Sequence, residues 1–242
     1  ERSGGAVRSR MDLTHLRPSF TPAVSAELIG SFFSQFFAGA SAATASENGL
    51  GAAALGYGLG MAVMVYGAAH ISGGHLNPAV TAGYMCVGAH GFSVQEGISY
   101  ILSQCIGGIL GSWVLVSLLP PQALKHPFVT LGSLSDRGWW SVFALEAACT
   151  FIVVLVVFAT MADRKRNIAP YAGPLAIGVA YSLGVFAIGP FTGASLNPIR
   201  TLAPAVVFGD FRALWVYFAA TLGGGVLAGL LYTRWLGLDD VG

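Results

Sequence analysis

The chain's 242 residues are 55% hydrophobic and only 10% charged, where a soluble domain carries about 25% charged residues. A soluble fold this poor in charge could not cover its own surface, and a net charge of +1 offers no basic face for nucleic acid. The composition points to a bilayer as solvent, where the 33 glycines suit close helix packing.

Residues 1–20 read as a polar tail carrying Arg2, Arg8, Arg10 and Arg17, without a signal-peptide pattern. Six apolar blocks follow at about 21–45, 51–70, 97–119, 139–161, 170–189 and 212–236. Each is near the ~20 residues a helix needs to cross ~30 Å of hydrocarbon. Two further apolar stretches, Asn77 to about Val87 and Asn197 to about Phe208, are too short to span. Residues 237–242 form a short C-terminal tail, and the channel domain covers 21–236. Six spans put both termini on one side. That side holds the N-terminal arginines, Arg164, Lys165, Arg166 and Arg234, against Lys125, Arg137 and Arg212 opposite, so both termini are expected to be cytoplasmic. Cys86, Cys105 and Cys149 each lie in an apolar stretch without paired spacing and read as small buried hydrophobes, with no metal or disulfide framework.

The chain repeats itself. Ala26-Glu27-Leu28-Ile29-Gly30 matches Leu145-Glu146-Ala147-Ala148-Cys149, and Ser72-Gly73-Gly74-His75-Leu76-Asn77-Pro78 matches Thr192-Gly193-Ala194-Ser195-Leu196-Asn197-Pro198. Glu27 precedes Asn77 by 50 positions and Glu146 precedes Asn197 by 51. Repeat one covers about 21–119 and repeat two about 139–236. Each holds three spans, an odd number, so the halves sit in the membrane with opposite orientation. This all-α, inverted 3+3 arrangement places a functional site near the midplane.

Each short stretch opens on Asn-Pro. Asn is a strong N-cap and Pro favours the first helical position, so each reads as a half-helix of about 15 Å. Entering from opposite faces, the two would meet N-terminus to N-terminus. Each Asn side-chain oxygen caps its helix, leaving an NH2 to hold a passing water by its oxygen. Two converging positive helix ends repel cations, hydronium included. Glu27 and Glu146, one per repeat, read as fixed acceptors for backbone N–H groups of the Gly-rich loops. A proton relay is the weaker alternative. His75 could switch with pH, but a hydrogen-bonded loop histidine is the better reading.

The segments His70-Ile71-Ser72-Gly73-Gly74-His75-Leu76-Asn77-Pro78-Ala79-Val80-Thr81 and Gly193-Ala194-Ser195-Leu196-Asn197-Pro198-Ile199-Arg200 resemble the signature loops of the aquaporin family. The resemblance runs from about Pro22 to Trp235 and is closest in wording to the plant tonoplast intrinsic proteins. It implies six transmembrane helices with two re-entrant half-helices, a homotetramer with one pore per subunit, and no cofactor. It makes Asn77, Pro78, Ala79, Asn197, Pro198 and Ile199 the pore motifs and Tyr57, Val185, Ala194 and Arg200 the selectivity filter. Ile199 stands where the family usually has Ala, a bulkier side chain that could shift half-helix packing. Val185 stands where strict water channels usually have His, which implies a wider, less polar constriction passing water and small neutral solutes: ammonia, with glycerol and urea as further candidates. The implied membrane is the vacuole's, another intracellular one or the plasma membrane.

Two other classes fit less well. A coupled secondary transporter also uses broken helices and inverted repeats, but the midplane offers Asn rather than an ionisable couple. An intramembrane enzyme would need a nucleophile–base pair or metal cluster, and neither H-E-x-x-H nor G-x-S-x-G is present.

Overall fold

A computed structural model describes residues 20–125, 128–131, 133, 138–163 and 171–237. Its long helices are α1 (Phe20–Ala43), α2 (Ala45–Ser72), α4 (Val94–Leu118), α5 (Trp139–Val157), α6 (Gly173–Thr192) and α8 (Leu214–Leu231). The short helices α3 (Pro78–Val87) and α7 (Pro198–Phe208) follow the two Asn-Pro pairs. Single π-type turns, Phe158–Ala162 and Tyr232–Leu236, extend α5 and α8 to the expected span lengths. The expected break at Ser46-Glu47-Asn48-Gly49 appears as a kink: Gly49 has φ +82°, a left-handed conformation natural to glycine.

Among the described residues, five helices are long and apolar enough to cross a membrane: α2, α4, α5 with its π turn, α6, and α8 with its π turn. The expected sixth, α1, is long enough but not apolar enough by composition. Its inward face carries Glu27, Ser31, Ser34 and Gln35, all buried, while Ile29, Phe33 and Phe37 face outward. The helix is polar toward protein and apolar toward lipid, the reverse of a soluble amphipathic helix.

Packing follows the repeat. Helix α1 lies against α2 and α4, as α5 lies against α6 and α8. Each half-helix packs chiefly on the opposite repeat, α3 on α8 and α7 on α4. The α2–α6 contact joins the halves at the centre. Glycines let backbones approach there: a Cβ on Gly58 would lie 2.2 Å from the Gly178 carbonyl oxygen.

The cysteines differ from expectation. Cys86 is exposed, and Cys105 and Cys149 are half-buried. An apolar stretch in a membrane helix faces lipid as readily as protein, so apolar context does not imply burial. The N-terminal arginines, Arg137 and Arg164 to Arg166, on which the orientation expectation rests, lie outside the described residues.

Candidate functional site

The site is assembled from two backbone loops. Helix α2 ends on Gly73 (φ +90°) and α6 on Gly193 (φ +84°). Leu76 and Leu196 are also left-handed, at φ +50° and +57°, which costs a non-glycine residue about 1 kcal/mol or more. Two things hold them. Each leucine side chain fills a notch over a glycine: an added Cβ on Gly30 would lie 2.4 Å from Leu76, and one on Gly184 2.5 Å from Leu196. Each loop's N–H groups are also anchored on a buried glutamate.

Glu27 accepts from His75 N (2.9 Å), Leu76 N (2.8 Å), Ser72 Oγ (2.7 Å) and Gln104 Nε2 (2.7 Å). Glu146 accepts from Ser195 N (2.9 Å), Leu196 N (3.0 Å) and Thr192 Oγ1 (2.7 Å). Both carboxylates are fully buried. Tyr100 donates its hydroxyl to the Ser72 carbonyl and Tyr217 to the Thr192 carbonyl, fixing the start of each loop from a neighbouring helix. The His75 ring packs among Tyr84, Phe92 and Tyr100, with Nδ1 3.2 Å from Thr81 Oγ1.

The loops deliver the two asparagines to one point. Asn77 (φ −156°, ψ 120°) caps α3, with Oδ1 accepting from Ala79 N at 2.8 Å. Asn197 (φ −157°, ψ 119°) caps α7, accepting from Ile199 N at 3.0 Å. Pro78 and Pro198 occupy the first helical positions. The amides then cross: Asn77 Nδ2 donates to the Leu196 carbonyl (2.9 Å) and Asn197 Nδ2 to the Leu76 carbonyl (3.0 Å). The left-handed leucines turn those carbonyls toward the opposite loop, so the strained backbone and the crossed bonds are one device.

Ile199 is accommodated by a glycine. A Cβ on Gly108 of α4 would lie 2.0 Å from Ile199 Cγ2, so the larger side chain occupies space that any other residue there would fill. Both asparagine caps keep the same backbone geometry within a few degrees.

Arg200 is buried one turn into α7 and donates through Nη1 to the Phe128 carbonyl at 2.7 Å. Tyr57 donates to the Ser195 carbonyl at 3.1 Å. Ala194, left-handed at φ +46°, lies on the same loop. Val185 lies on the buried face of α6. Three participants were not singled out from the sequence. Phe128, on the α4–α5 connection, supplies the arginine's acceptor and packs on Phe208. Thr130 donates to Thr201 at 2.7 Å. Tyr181 Oη accepts from Asn77 Nδ2 at 2.6 Å. A carbonyl's role carries no side-chain signature, and the loop's approach is tertiary. Tyr181 lies one helical turn before Val185, which was a usable signal.

The Major intrinsic protein family profile matches residues 15–232. Probable aquaporin TIP2-2 of Arabidopsis thaliana is 40% identical over 184 residues, 76% of this chain and 71% of that protein. Aquaporin TIP2-3 of Zea mays is 36% identical over 231 residues, 88% of this chain and 90% of that one. The X-ray structure of the aquaglyceroporin from Plasmodium falciparum superposes with a TM-score of 0.80 at 20% identity, covering 90% of this chain and 97% of that one; at that identity the likeness bears on the fold alone.

Proposed function

The chain belongs to the major intrinsic protein, or aquaporin, family, and from that premise we propose that its selectivity is set by Tyr57, Val185, Ala194 and Arg200 around the mouth formed by Asn77 and Asn197. Members of this family are channels, and the chain is a membrane-embedded passive channel for water and small solutes. The observation that carries the proposal is the crossed Asn77–Leu196 and Asn197–Leu76 pair with the buried Arg200 guanidinium one turn beyond. Two positive helix ends converge where a solute must pass, and a fixed cation stands beside them. Cations meet both barriers; a neutral molecule meets neither. Glu27 and Glu146 act as structural anchors in this reading, since each holds two successive loop N–H groups and the hydroxyl that ends the preceding helix.

Val185 gives the constriction one apolar wall. Fewer hydrogen bonds must then be matched by a passing solute, which favours ammonia alongside water. Val185→His should lower ammonia flux relative to water in proteoliposomes while substantial water flux remains. An unchanged ratio would place the limiting ring elsewhere.

The assembly is proposed to be a homotetramer, as the resemblance implies, with both termini cytoplasmic, as the Lys and Arg distribution implies, in the vacuolar membrane, another intracellular membrane or the plasma membrane. Native mass measurement in detergent tests the first point, protease protection of a terminal tag the second, and organelle fractionation the third.

A further inference from the structure

The two asparagines are not equally occupied. Asn197 Nδ2 has one acceptor among the described residues, the Leu76 carbonyl at 3.0 Å, which leaves its second N–H without an acceptor among them. Asn77 Nδ2 has two, the Leu196 carbonyl at 2.9 Å and Tyr181 Oη at 2.6 Å. An amide nitrogen has two hydrogens, so the protein itself takes both. Exposure agrees: Asn197 keeps 4%, Asn77 none.

Tyr181 belongs to a single stripe on α6. Tyr181, Val185, Ile188 and Thr192 are all buried and fall at i, i+4, i+7 and i+11, the spacing of one helix face. Val185 is the apolar wall assigned above, so Tyr181 stands one turn, about 5 Å, further along the same wall. Its ring lies 5.2 Å from that of Tyr57, tilted by 51°. Tyr57 comes from α2, the helix facing α6 across the central contact. Two aromatic rings from facing helices thus meet, with Tyr181 docked on Asn77 and Tyr57 on the Ser195 carbonyl. The counterpart of Tyr181 in repeat one, 16 positions before its asparagine, is Met61. Met61 Sδ accepts from Ser34 Oγ at 3.8 Å, so among the described residues the hydrogen bond from this position to an asparagine is found on one side alone.

We infer that Tyr181 is a second, size-limiting residue of the passage: its ring, docked on Asn77, excludes solutes of glycerol and urea size. This rests on the channel reading and deepens it. The four-residue ring sets polarity and charge, and Tyr181 sets the width at the midplane. The ring itself, 5.2 Å from that of Tyr57, occupies that width whether or not its hydroxyl is bonded. Water and ammonia need less width than a three-carbon polyol.

The test is stopped-flow light scattering on proteoliposomes holding the parent, Tyr181→Phe, Tyr181→Ala or Tyr181→Val, with water, glycerol and urea in turn. Tyr181→Phe keeps the ring and should exclude glycerol and urea as the parent does. Tyr181→Ala should raise glycerol and urea permeability by about an order of magnitude, since the narrow segment is gone. Tyr181→Val continues the wall of Val185 and should admit urea; it carries the test if Tyr181→Ala is not recovered as a folded protein. The inference is overturned if the ring-less variants exclude glycerol and urea as well as the parent does, if the parent already admits them, or if Tyr181→Phe admits them equally. Any of these with intact water flux, and with the Val185→His effect on ammonia present, overturns the role of Tyr181 alone. Absence of water flux in the parent overturns both readings together.

Discussion

The two repeats are alike where they bind themselves and unlike at the residues proposed to line the passage. Each loop hangs on one buried glutamate through the same three donors, a hydroxyl and two successive backbone N–H groups. Each asparagine adopts the same φ and ψ within a degree. At the lining the symmetry ends. Arg200 follows Asn197 by three positions where Val80 follows Asn77, and Tyr181 stands where repeat one has Met61. Folding in hydrocarbon demands that every loop donor be satisfied, and that demand is the same in both halves. Selection demands a charge and a width, and one copy of each suffices for one passage.

The largest effect should come from the shared frame. Glu27→Leu or Glu146→Leu orphans two backbone N–H groups, at about 1–3 kcal/mol each. We expect both variants to lose the monodisperse folded peak in detergent gel filtration, and to lose it about equally. Survival of one and loss of the other would break the equivalence of the two loops.

A smaller but functional effect is expected where the halves differ. Arg200→Val gives repeat two the residue of repeat one. It should leave the fold intact and raise leakage of cations and larger solutes, followed by an internal dye. The proton barrier should survive in part, because the two helix ends remain. An unaltered cation barrier would mean that Arg200 serves only as a tether for the Phe128 carbonyl.

The mildest change tests how each half-helix seats on the opposite repeat. Gly108→Ala sets a methyl against the Ile199 side chain, an overpacking cost of about 1–3 kcal/mol. Adding Ile199→Ala should recover thermal stability. The counterpart Gly225→Ala meets the Ala79 carbonyl oxygen at 2.3 Å, so no side-chain change at Ala79 should rescue it. Equal rescue on both sides would contradict the difference between a side-chain and a backbone contact.

What the sequence made legible was whatever has a local chemical reason. Asn-Pro caps, glycine stops, the matched spacing of Glu27 and Glu146, and apolar blocks of span length each follow from short-range physics. Helix α1 was recognisable by its length and its place in the repeat, although its inward Glu27, Ser31, Ser34 and Gln35 hold its hydropathy down. The burial of Cys86 was misjudged because hydropathy does not distinguish lipid from protein. The rest depends on which atoms meet across the bundle. A carbonyl such as that of Phe128 looks like any other in sequence. Gly108 gains meaning only beside Ile199, 91 positions on. Tyr181 reads as a core aromatic until Asn77 arrives beside it from the other repeat.

The central claim is passive passage of neutral molecules through a junction that repels cations. It is tested most directly on the parent protein in proteoliposomes, by recording osmotic water flux and internal pH together, with and without ionophores that collapse the sodium and proton gradients. The predicted result is rapid water flux that is indifferent to the gradients and leaves internal pH unchanged under an imposed proton gradient. Flux that vanishes with the gradients, or an internal pH that follows the imposed gradient without ionophore, would contradict the account.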